Sequence, residues 1–335
     1  MNAMNKYILK TLTLMLILAS VISCETDFEI ERLDAEPMFY IESIFFDEQE
    51  LIEISVVPTY VVTEDPRVSE LPEGFSLTVL ENGKPRELNK ADDTFQNPKF
   101  KWYLTGGVQP GGELEISAKA EGYPEAYAKV VVPEKFDDFT CSVEKYTDGK
   151  AILHIDYYDD PNAEDYYAVS VARNVKQVRF DGTVDSDVSY PIMSTPSQDD
   201  FGDYAYCSWN LEGVSWPEHR NIVFWNDSRE TVSGKQRMTI YISENQSEPS
   251  FDYTEPTMGA VGEVIGTTYV GDYVTLYKLA PGTYHYINGK WNENYNDMSN
   301  MGLVPPTWTF TNIDGGIGMF GPMSSSKPYL IEWNY

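Results

Sequence analysis

Hydrophobic and polar residues alternate along much of this chain with the period of two that is typical of β-strands. In the clearest case Ile52, Ile54 and Val56 alternate with Glu53 and Ser55. Alternation or short apolar runs between turn residues predict further strands over 75–80, 114–118, 126–132, 139–143, 151–157, 166–172 and 238–243. The pattern therefore predicts a mainly β protein.

Turn and linker residues divide the predicted strands into two groups. Asn82-Gly83 follows a strand-like run and predicts a tight hairpin, because both residues tolerate positive φ. Pro133-Glu134-Lys135 has the composition of a linker. We therefore predict a β-sandwich of immunoglobulin or transthyretin size over 37–133, followed by a larger β domain over 134–335.

The larger domain is predicted to contain long loops and one minor helix. Residues 174–236 are polar and rich in turn residues, as binding loops on a rigid scaffold often are. The helix is predicted from 281 to about 295. Tyr284, Ile287 and Trp291 within it have three- and four-residue spacing, which places them on one helical face.

The charge of the chain limits the partners that it can bind. The 335 residues include 24 Lys and Arg against 53 Asp and Glu, which gives a formal charge of −29. This excess of acid argues against nucleic-acid binding and against docking on an anionic lipid surface through charge. Hydrophobic residues make up 42% of the chain, so a packed core is expected.

The N-terminus has the features of a lipoprotein signal peptide over residues 1–23. Lys6 and Lys10 precede an apolar run over 11–22, which is too short to span a bilayer. The run ends in Val21-Ile22-Ser23-Cys24, which resembles a bacterial lipobox. We therefore predict lipidation of Cys24, whose two or three acyl chains would hold the protein on a membrane. The alternative is an ordinary secretory signal followed by a free cysteine.

An acidic tether is predicted over residues 24–36. Glu25, Asp27, Glu29 and Glu31 follow Cys24 closely. Such a stretch resembles the surface-export signal of Bacteroidota lipoproteins. It therefore favours an outer-membrane lipoprotein displayed on the cell surface over one that faces inward.

Two cysteines remain beyond the anchor. Cys141 and Cys207 lie in a chain that is predicted to be exported, and an exported compartment permits a disulfide. Their separation has no metal-ligand spacing. A bridge between them and two buried free thiols are both open.

Three stretches resemble a known family. They are 110–133, with Pro-Gly-Gly and Gly-Tyr-Pro turns; 159–167, with Asp-Asp-Pro-Asn; and the glycine-rich 311–321. With the lipobox, they resemble the Bacteroidota lipoprotein family catalogued as domain of unknown function 4249. The resemblance implies a surface or outer-membrane lipoprotein whose partner is a TonB-dependent receptor, and thus a role in nutrient uptake. It supplies no catalytic residues.

The glycine-rich stretch 311–321 is interpreted together with the residues before it as a strand over 308–310, a glycine kink, and a second strand that contains Ile317, Met319 and Phe320. Gly315, Gly316 and Gly318 permit positive φ and close backbone approach. A phosphate-binding loop is the alternative, but the stretch lacks the lysine and the following helix that such a loop uses.

Catalytic motifs are not found in the sequence. His154, His219 and His285 lie in a predicted strand, a polar loop and the predicted helix. The chain has neither a Gly-x-Ser-x-Gly elbow nor a His-Glu-x-x-His motif. With 53 acidic residues, pairs of carboxylates arise by chance. We therefore predict that the protein is not an enzyme.

Calcium is the one metal that the sequence favours, and no other cofactor is predicted. Asp156, Asp159, Asp160 and Asp165 cluster at a predicted strand-to-loop turn. Carboxylate oxygens are the ligands that calcium prefers. The alternative is a solvated acidic loop without a metal.

Three tryptophans of the loop-rich region are candidate ligand-binding residues. Trp209, Trp216 and Trp225 could stack on a ligand if they are exposed, or fill the core if they are buried.

The resemblance, with the lipobox and the acidic tether as independent support, thus implies a lipid-anchored surface protein that acts as an accessory or ligand-capture subunit of a TonB-dependent nutrient transporter. One alternative is a free-standing glycan- or peptide-binding lipoprotein. A hydrolase is the other.

Overall fold

The computed structural model of the chain describes residues 36–59, 70–91, 100–145, 150–160, 162–179, 184–191, 194–196, 204–207, 222–226, 234–243, 264–294 and 310–332. The signal peptide, the tether and Cys24 lie outside these ranges. Within them the chain is mainly β and has one helix, which confirms the predicted fold class.

The strands are numbered in chain order. The first eight are β1 (Phe39–Phe46), β2 (Leu51–Pro58), β3 (Ser76–Glu81), β4 (Lys84–Pro85), β5 (Leu88–Lys90), β6 (Lys101–Thr105), β7 (Glu113–Lys119) and β8 (Ala126–Val131). The others are β9 (Phe139–Lys145), β10 (Lys150–Tyr158), β11 (Tyr166–Arg179), β12 (Val184–Pro191), β13 (Ser194–Pro196), β14 (Tyr204–Cys207), β15 (Ile222–Asn226), β16 (Lys235–Ser243), β17 (Val264–Leu279), β18 (Ile317–Ser325) and β19 (Tyr329–Leu330). The helix α1 is Pro281–Asn294.

The described strands form three sheets. The largest has eleven strands in the order β14-β15-β11-β17-β18-β1-β2-β6-β5, with β12 paired to β11 and β19 to β17. The two four-stranded sheets have the orders β4-β3-β7-β8 and β13-β16-β10-β9. Strands from both halves of the chain therefore share the largest sheet.

The first core lies between β1, β2 and β6 of the large sheet and the sheet β4-β3-β7-β8. Ile52, Ile54 and Val56 are fully buried in it, as their alternation predicts. Asn82 and Gly83 form the predicted hairpin turn between β3 and β4, with φ of 50° and 74°. These local features of the predicted N-terminal sandwich are confirmed.

The first core also contains residues from the C-terminal end of the chain. β18 pairs in parallel with β1, and Ile41 lies opposite Gly318 in this register. Phe320 is fully buried, and its ring centroid lies 5.2 Å from that of Phe45. Ile313 belongs to the same core. The large sheet thus crosses the domain boundary predicted at residue 133.

The predicted linker is bound to the end of β18. The backbone carbonyl of Pro133 accepts a hydrogen bond from the Ser324 hydroxyl. The Asp137 carboxylate accepts one from the Lys327 backbone amide at 2.8 Å. Hydrogen bonds from this segment thus join the two predicted domains, in addition to the shared sheet.

Two further cores lie on opposite faces of β11 and its neighbours. Tyr167, Val169 and Val171 pack toward the sheet β13-β16-β10-β9. Tyr166 and Ala168, at the alternate positions of the same strand, belong to the core beneath α1. The first half of β11, residues 166–172, is buried on both faces, which explains its nearly continuous apolar sequence.

Helix α1 confirms the predicted helix. Tyr284 and Ile287 of the predicted apolar face are buried, and so is Tyr286. The side chain of Trp291 lies outside the described residues. Within the described ranges, no helix combines the length and the apolar character needed to cross a bilayer.

Residues 174–236 contain more regular structure than the sequence predicts. β12, β13, β14 and β15 lie within this range, and β11 extends into it as far as Arg179. The segment Ile222–Asn226 is a short apolar run whose first four residues are buried, as expected for a strand that is covered on both faces. The predicted loop-rich region is therefore partly a β-region at the edge of the large sheet.

The glycines of the C-terminal motif allow backbones to approach closely. Gly315 and Gly318 have φ of 68° and 109°. A Cβ at Gly315 would lie 2.2 Å from the Glu125 carbonyl oxygen, and one at Gly318 would lie 2.0 Å from that of Ile41. β18 follows the kink as predicted. Most of the strand predicted before it, at 308–310, lies outside the described residues.

Candidate functional site

The four aspartates of the predicted calcium site have separate roles in the structure. Asp156 forms a bidentate ion pair with Arg237, with Nε–Oδ1 and Nη2–Oδ2 distances of 2.5 and 2.6 Å. The Asp160 carboxylate caps its own turn by accepting hydrogen bonds from the backbone and side-chain nitrogens of Asn162 at 3.0 and 3.1 Å. Asp156 and Asp160 therefore already have protein partners of their own.

Asp159 and Asp165 meet at the hydroxyl of Tyr167. This hydroxyl donates to Asp159, which is 1% exposed, and also lies 3.1 Å from Asp165. Lys278 donates to Asp165 at 2.7 Å. Burial and the hydrogen bond to Asp159 raise the pKa of Tyr167 above its ordinary value. The network thus fixes the turn between β10 and β11.

Calcium binding by these four residues gains no support from their arrangement. Among the described residues, no group of three or more His, Cys, Asp or Glu side chains is placed to hold a metal ion. The four aspartates are close in sequence, but their side chains contact different partners, namely Arg237, Tyr167 and the Asn162 turn. The calcium site stays a prediction.

A groove opens on the solvent face of the sheet β13-β16-β10-β9. Its volume is about 680 Å³, and Asp156 is the one predicted site residue that lines it. The other lining residues are Asp138, Phe139, Thr140, Tyr157, Tyr158, Lys235, Gln236 and Arg237. This volume lies within the range of about 300–1,000 Å³ that is usual for small-molecule sites.

Tyr158 is the exposed aromatic residue of this groove. Its side chain is 55% exposed, whereas Phe139 and Tyr157 are buried in the core. Gly234 lies against the ring, and a Cβ at this position would be 2.6 Å from it. The alternation of β10 places His154, Asp156 and Tyr158 on one face, and this alternation is the sequence signal for an exposed Tyr158.

Charges in the groove are balanced. Lys235 and Arg237 carry positive charge, and Asp138 and Asp156 carry negative charge. The Arg237 guanidinium holds the pKa of the Asp156 carboxyl below its ordinary value through their hydrogen bonds. Asp156 is therefore ionised at neutral pH, and the charges of the described lining residues cancel although the chain is strongly acidic.

The predicted tryptophan sites are only partly within the described ranges. Trp225 is 4% exposed and stacks on Tyr167 at a centroid distance of 5.6 Å. Its indole nitrogen donates to the Tyr157 hydroxyl at 3.3 Å. Trp225 thus fills the core, which was the alternative to ligand binding, because it belongs to the buried strand β15. Trp209 and Trp216 lie outside the described residues and stay predictions.

The two cysteines belong to different sheets. Cys141 lies in β9 of a four-stranded sheet, and Cys207 lies in β14 at the edge of the large sheet. Cys141 has a free thiol in this structure, and burial raises its pKa to about 12. The side chain of Cys207 lies outside the described residues, so the bridge stays a prediction.

A second polar cluster joins α1 to β1. The Tyr286 hydroxyl donates to Glu42 at 2.8 Å and lies 3.1 Å from the Tyr40 hydroxyl. Lys290 donates to the same Glu42 oxygen at 3.1 Å. Burial raises the pKa of Tyr40 and of Tyr286 above the ordinary value. These bonds join the helix to the large sheet, and sequence analysis missed them because they connect distant segments.

The histidines make hydrogen-bond contacts that join neighbouring elements. His154 lies 3.3 Å from the Thr239 hydroxyl and 3.4 Å from Glu144, across the β9, β10 and β16 strands. His285 of α1 lies 3.4 Å from the Tyr166 hydroxyl of β11. His219 lies outside the described residues.

Alkaline pH is expected to destabilise the fold through Tyr167. Unfolded tyrosine has a pKa of about 10, and burial raises that of Tyr167. The unfolded chain therefore loses this proton first, and unfolding becomes easier as pH rises above 10, by up to about 1.4 kcal/mol per pH unit. Urea titrations at several pH values should show a smaller slope of stability against pH for Tyr167→Phe. An unchanged slope between pH 10 and 11 would contradict this assignment.

Residues 25–328 match the family described as Domain of unknown function (DUF4249). The match covers most of the chain, so this protein belongs to that family. No protein of known, curated function matches the chain.

Two solved structures resemble the chain weakly. A β-glucuronidase of Parabacteroides merdae is 10% identical, with a TM-score of 0.19 over 74% of this chain and 24% of its own. This chain therefore spans about a quarter of that protein. The C-terminal domain of the Streptococcus agalactiae AgI/II polypeptide BspA is 11% identical, with a TM-score of 0.15 over 73% and 96% of the two chains. Similarities at this level carry no argument about function.

Proposed function

We propose that this protein is a lipid-anchored lipoprotein of the outer-membrane surface in the Bacteroidota, and that it captures a nutrient for a TonB-dependent transporter. The observation that carries the proposal is the short distance in sequence between the anchor and the folded body. Cys24 follows a lipobox-like sequence, and β1 begins at Phe39. In this proposal the protein binds and presents its ligand and does not convert it.

The length of the tether supports a position close to the membrane. Twelve residues, 25–36, separate Cys24 from the sandwich predicted to begin at residue 37. Even a fully extended chain of this length reaches only about 40 Å. An anchored body at that distance could contact the extracellular loops of an outer-membrane protein.

The groove supports a binding role. It lies on the solvent face of a four-stranded sheet, and its volume of about 680 Å³ suits a small ligand. The excess of acidic residues over the whole chain would favour neutral or cationic ligands over polyanions.

Replacing Cys24 by alanine is expected to abolish acylation and release the protein from the membrane. Without acyl chains, the acidic body has little affinity for an anionic lipid surface. Metabolic labelling with radioactive palmitate, followed by membrane fractionation, measures both effects.

Cys141→Ala is the matched control, because it removes a cysteine of the folded body and leaves the lipobox intact. We expect it to be labelled like the wild type. Labelling of Cys24→Ala would contradict the anchor. Protease treatment of intact cells tests surface display, and a wild-type protein that is protected until the outer membrane is opened would contradict it.

A further inference from the structure

The ring of Tyr158 has the position of a fixed platform for a ligand. Tyr158 ends β10, and one side of its ring lies on the backbone of Gly234, which has a φ of 68°. The Gly234 carbonyl accepts a hydrogen bond from the Asp159 backbone amide at 2.7 Å. The ring is thus braced by backbone, while more than half of the side chain faces solvent. A preorganised ring loses little conformational entropy when a ligand stacks on it.

Polar side chains beside this ring provide hydrogen-bond donors and acceptors in fixed positions. Asp156 lies opposite Arg237 of β16 and opposite Thr140 of β9 in the sheet register. The bidentate ion pair holds both the carboxylate and the guanidinium in place. Carboxylate accepts, guanidinium donates and hydroxyl does both, so together they match a ligand that is rich in hydroxyl groups.

We propose that this groove binds a neutral oligosaccharide, with one sugar ring stacked on Tyr158 and its hydroxyl groups bound by Asp156 and Arg237. The inference deepens the proposed function, on which it rests for the role of the ligand as a captured nutrient. Its residues differ from the predicted ligand-binding residues Trp209, Trp216 and Trp225.

The charge balance of the groove selects the neutral ligand. Lys235 and Arg237 offset Asp138 and Asp156 within the groove, and the whole chain carries a formal charge of −29. An acidic polysaccharide would be repelled at long range, and the described lining residues would offer it no net positive charge. Among the described lining residues, Phe139 and Tyr157 are buried in the core, so they offer no pocket to the apolar anchors of a peptide.

The test is binding of the full-length mature protein, in detergent, to immobilised neutral hexasaccharides of glucose, mannose, xylose and arabinose. Sulfated and uronate-containing oligosaccharides are included as anionic probes, and calorimetry measures the affinity of each ligand that binds. We expect at least one neutral hexasaccharide to bind. Binding of anionic probes alone, or of none, would overturn the inference.

Substitutions of Tyr158 and Tyr241 test whether the oligosaccharide binds in this groove. Tyr158→Ala is expected to weaken binding by about tenfold or more, while Tyr158→Phe retains the ring and stays within about threefold of the wild type. Tyr241→Ala is the matched control, because Tyr241 lies on the same sheet outside the groove and is 36% exposed. We expect no change for it. Equal losses for the two alanine variants, or no loss for Tyr158→Ala at an unchanged melting temperature, would overturn the inference.

Failure of this inference can be distinguished from failure of the proposed function. If the protein is acylated at Cys24 and displayed on the surface but binds no neutral hexasaccharide, the inference is wrong and the anchor stands. If it binds through Tyr158 but Cys24 is not acylated, the groove stands and the anchoring proposal is wrong.

Discussion

Gly318→Ala is expected to destabilise the protein by about 3–5 kcal/mol or to prevent its folding, because two unfavourable effects add. Gly318 has a φ of 109°, a conformation that residues with a side chain rarely adopt. A Cβ there would lie 2.0 Å from the carbonyl oxygen of Ile41, its partner in β1. Backbone atoms on both sides of this contact belong to the central pair of the large sheet, so they have little room to move. Denaturant unfolding of the purified variant measures the loss.

Gly83→Ala separates the two effects. Gly83 also has positive φ, at 74°, but a Cβ at this position would meet nothing within 4 Å. We therefore expect only the conformational penalty, about 1–2 kcal/mol. Similar losses for Gly83→Ala and Gly318→Ala would contradict the close approach of β1 and β18.

A fragment that ends at residue 133 is expected not to fold, although the sequence predicts that 37–133 is a domain. β1 pairs with β2 on one side and with β18 on the other, so a fragment without β18 leaves one side of β1 without this partner. The first core also loses Phe320 and Ile313. Removing buried groups of this size costs about 3–5 kcal/mol for an aromatic residue alone, which is comparable with the whole stability of a small domain. Circular dichroism during heating should show no cooperative transition.

Phe320→Ala in the full-length chain is the companion to this fragment. It keeps the backbone pairing of β18 with β1 but removes the ring that packs on Phe45, so we expect a folded protein destabilised by about 3–5 kcal/mol. A fragment that unfolds cooperatively, together with a Phe320→Ala variant as stable as the wild type, would contradict the shared core.

Local patterns in the sequence predict the faces of strands but not their partners. Ile52, Ile54 and Val56 are buried as their alternation predicts, and Asn82-Gly83 forms its turn, because both features depend on neighbouring residues only. The pairing of β1 with β18 depends on residues at opposite ends of the chain. The alternation of apolar and polar residues contains no information about which distant segment pairs with a given strand.

In the candidate site, residue type alone does not predict whether an aromatic side chain is buried or exposed. Trp225 and Tyr158 are both aromatic residues in β-regions, yet one is in the core and the other is on the surface. The apolar run around Trp225 signals a buried strand, and the parity of β10 places Tyr158 with Asp156 on the solvent face. Position within the strand, and not residue type, distinguishes them.

Affinity capture of the tagged full-length protein from gently solubilised outer membranes tests the proposed accessory role directly. Mass spectrometry identifies the co-purified proteins and measures their ratio to the bait. We expect an outer-membrane transporter of the TonB-dependent class at near-equal stoichiometry. Recovery of the lipoprotein alone would contradict the accessory role and leave a free-standing binding protein as the function to test.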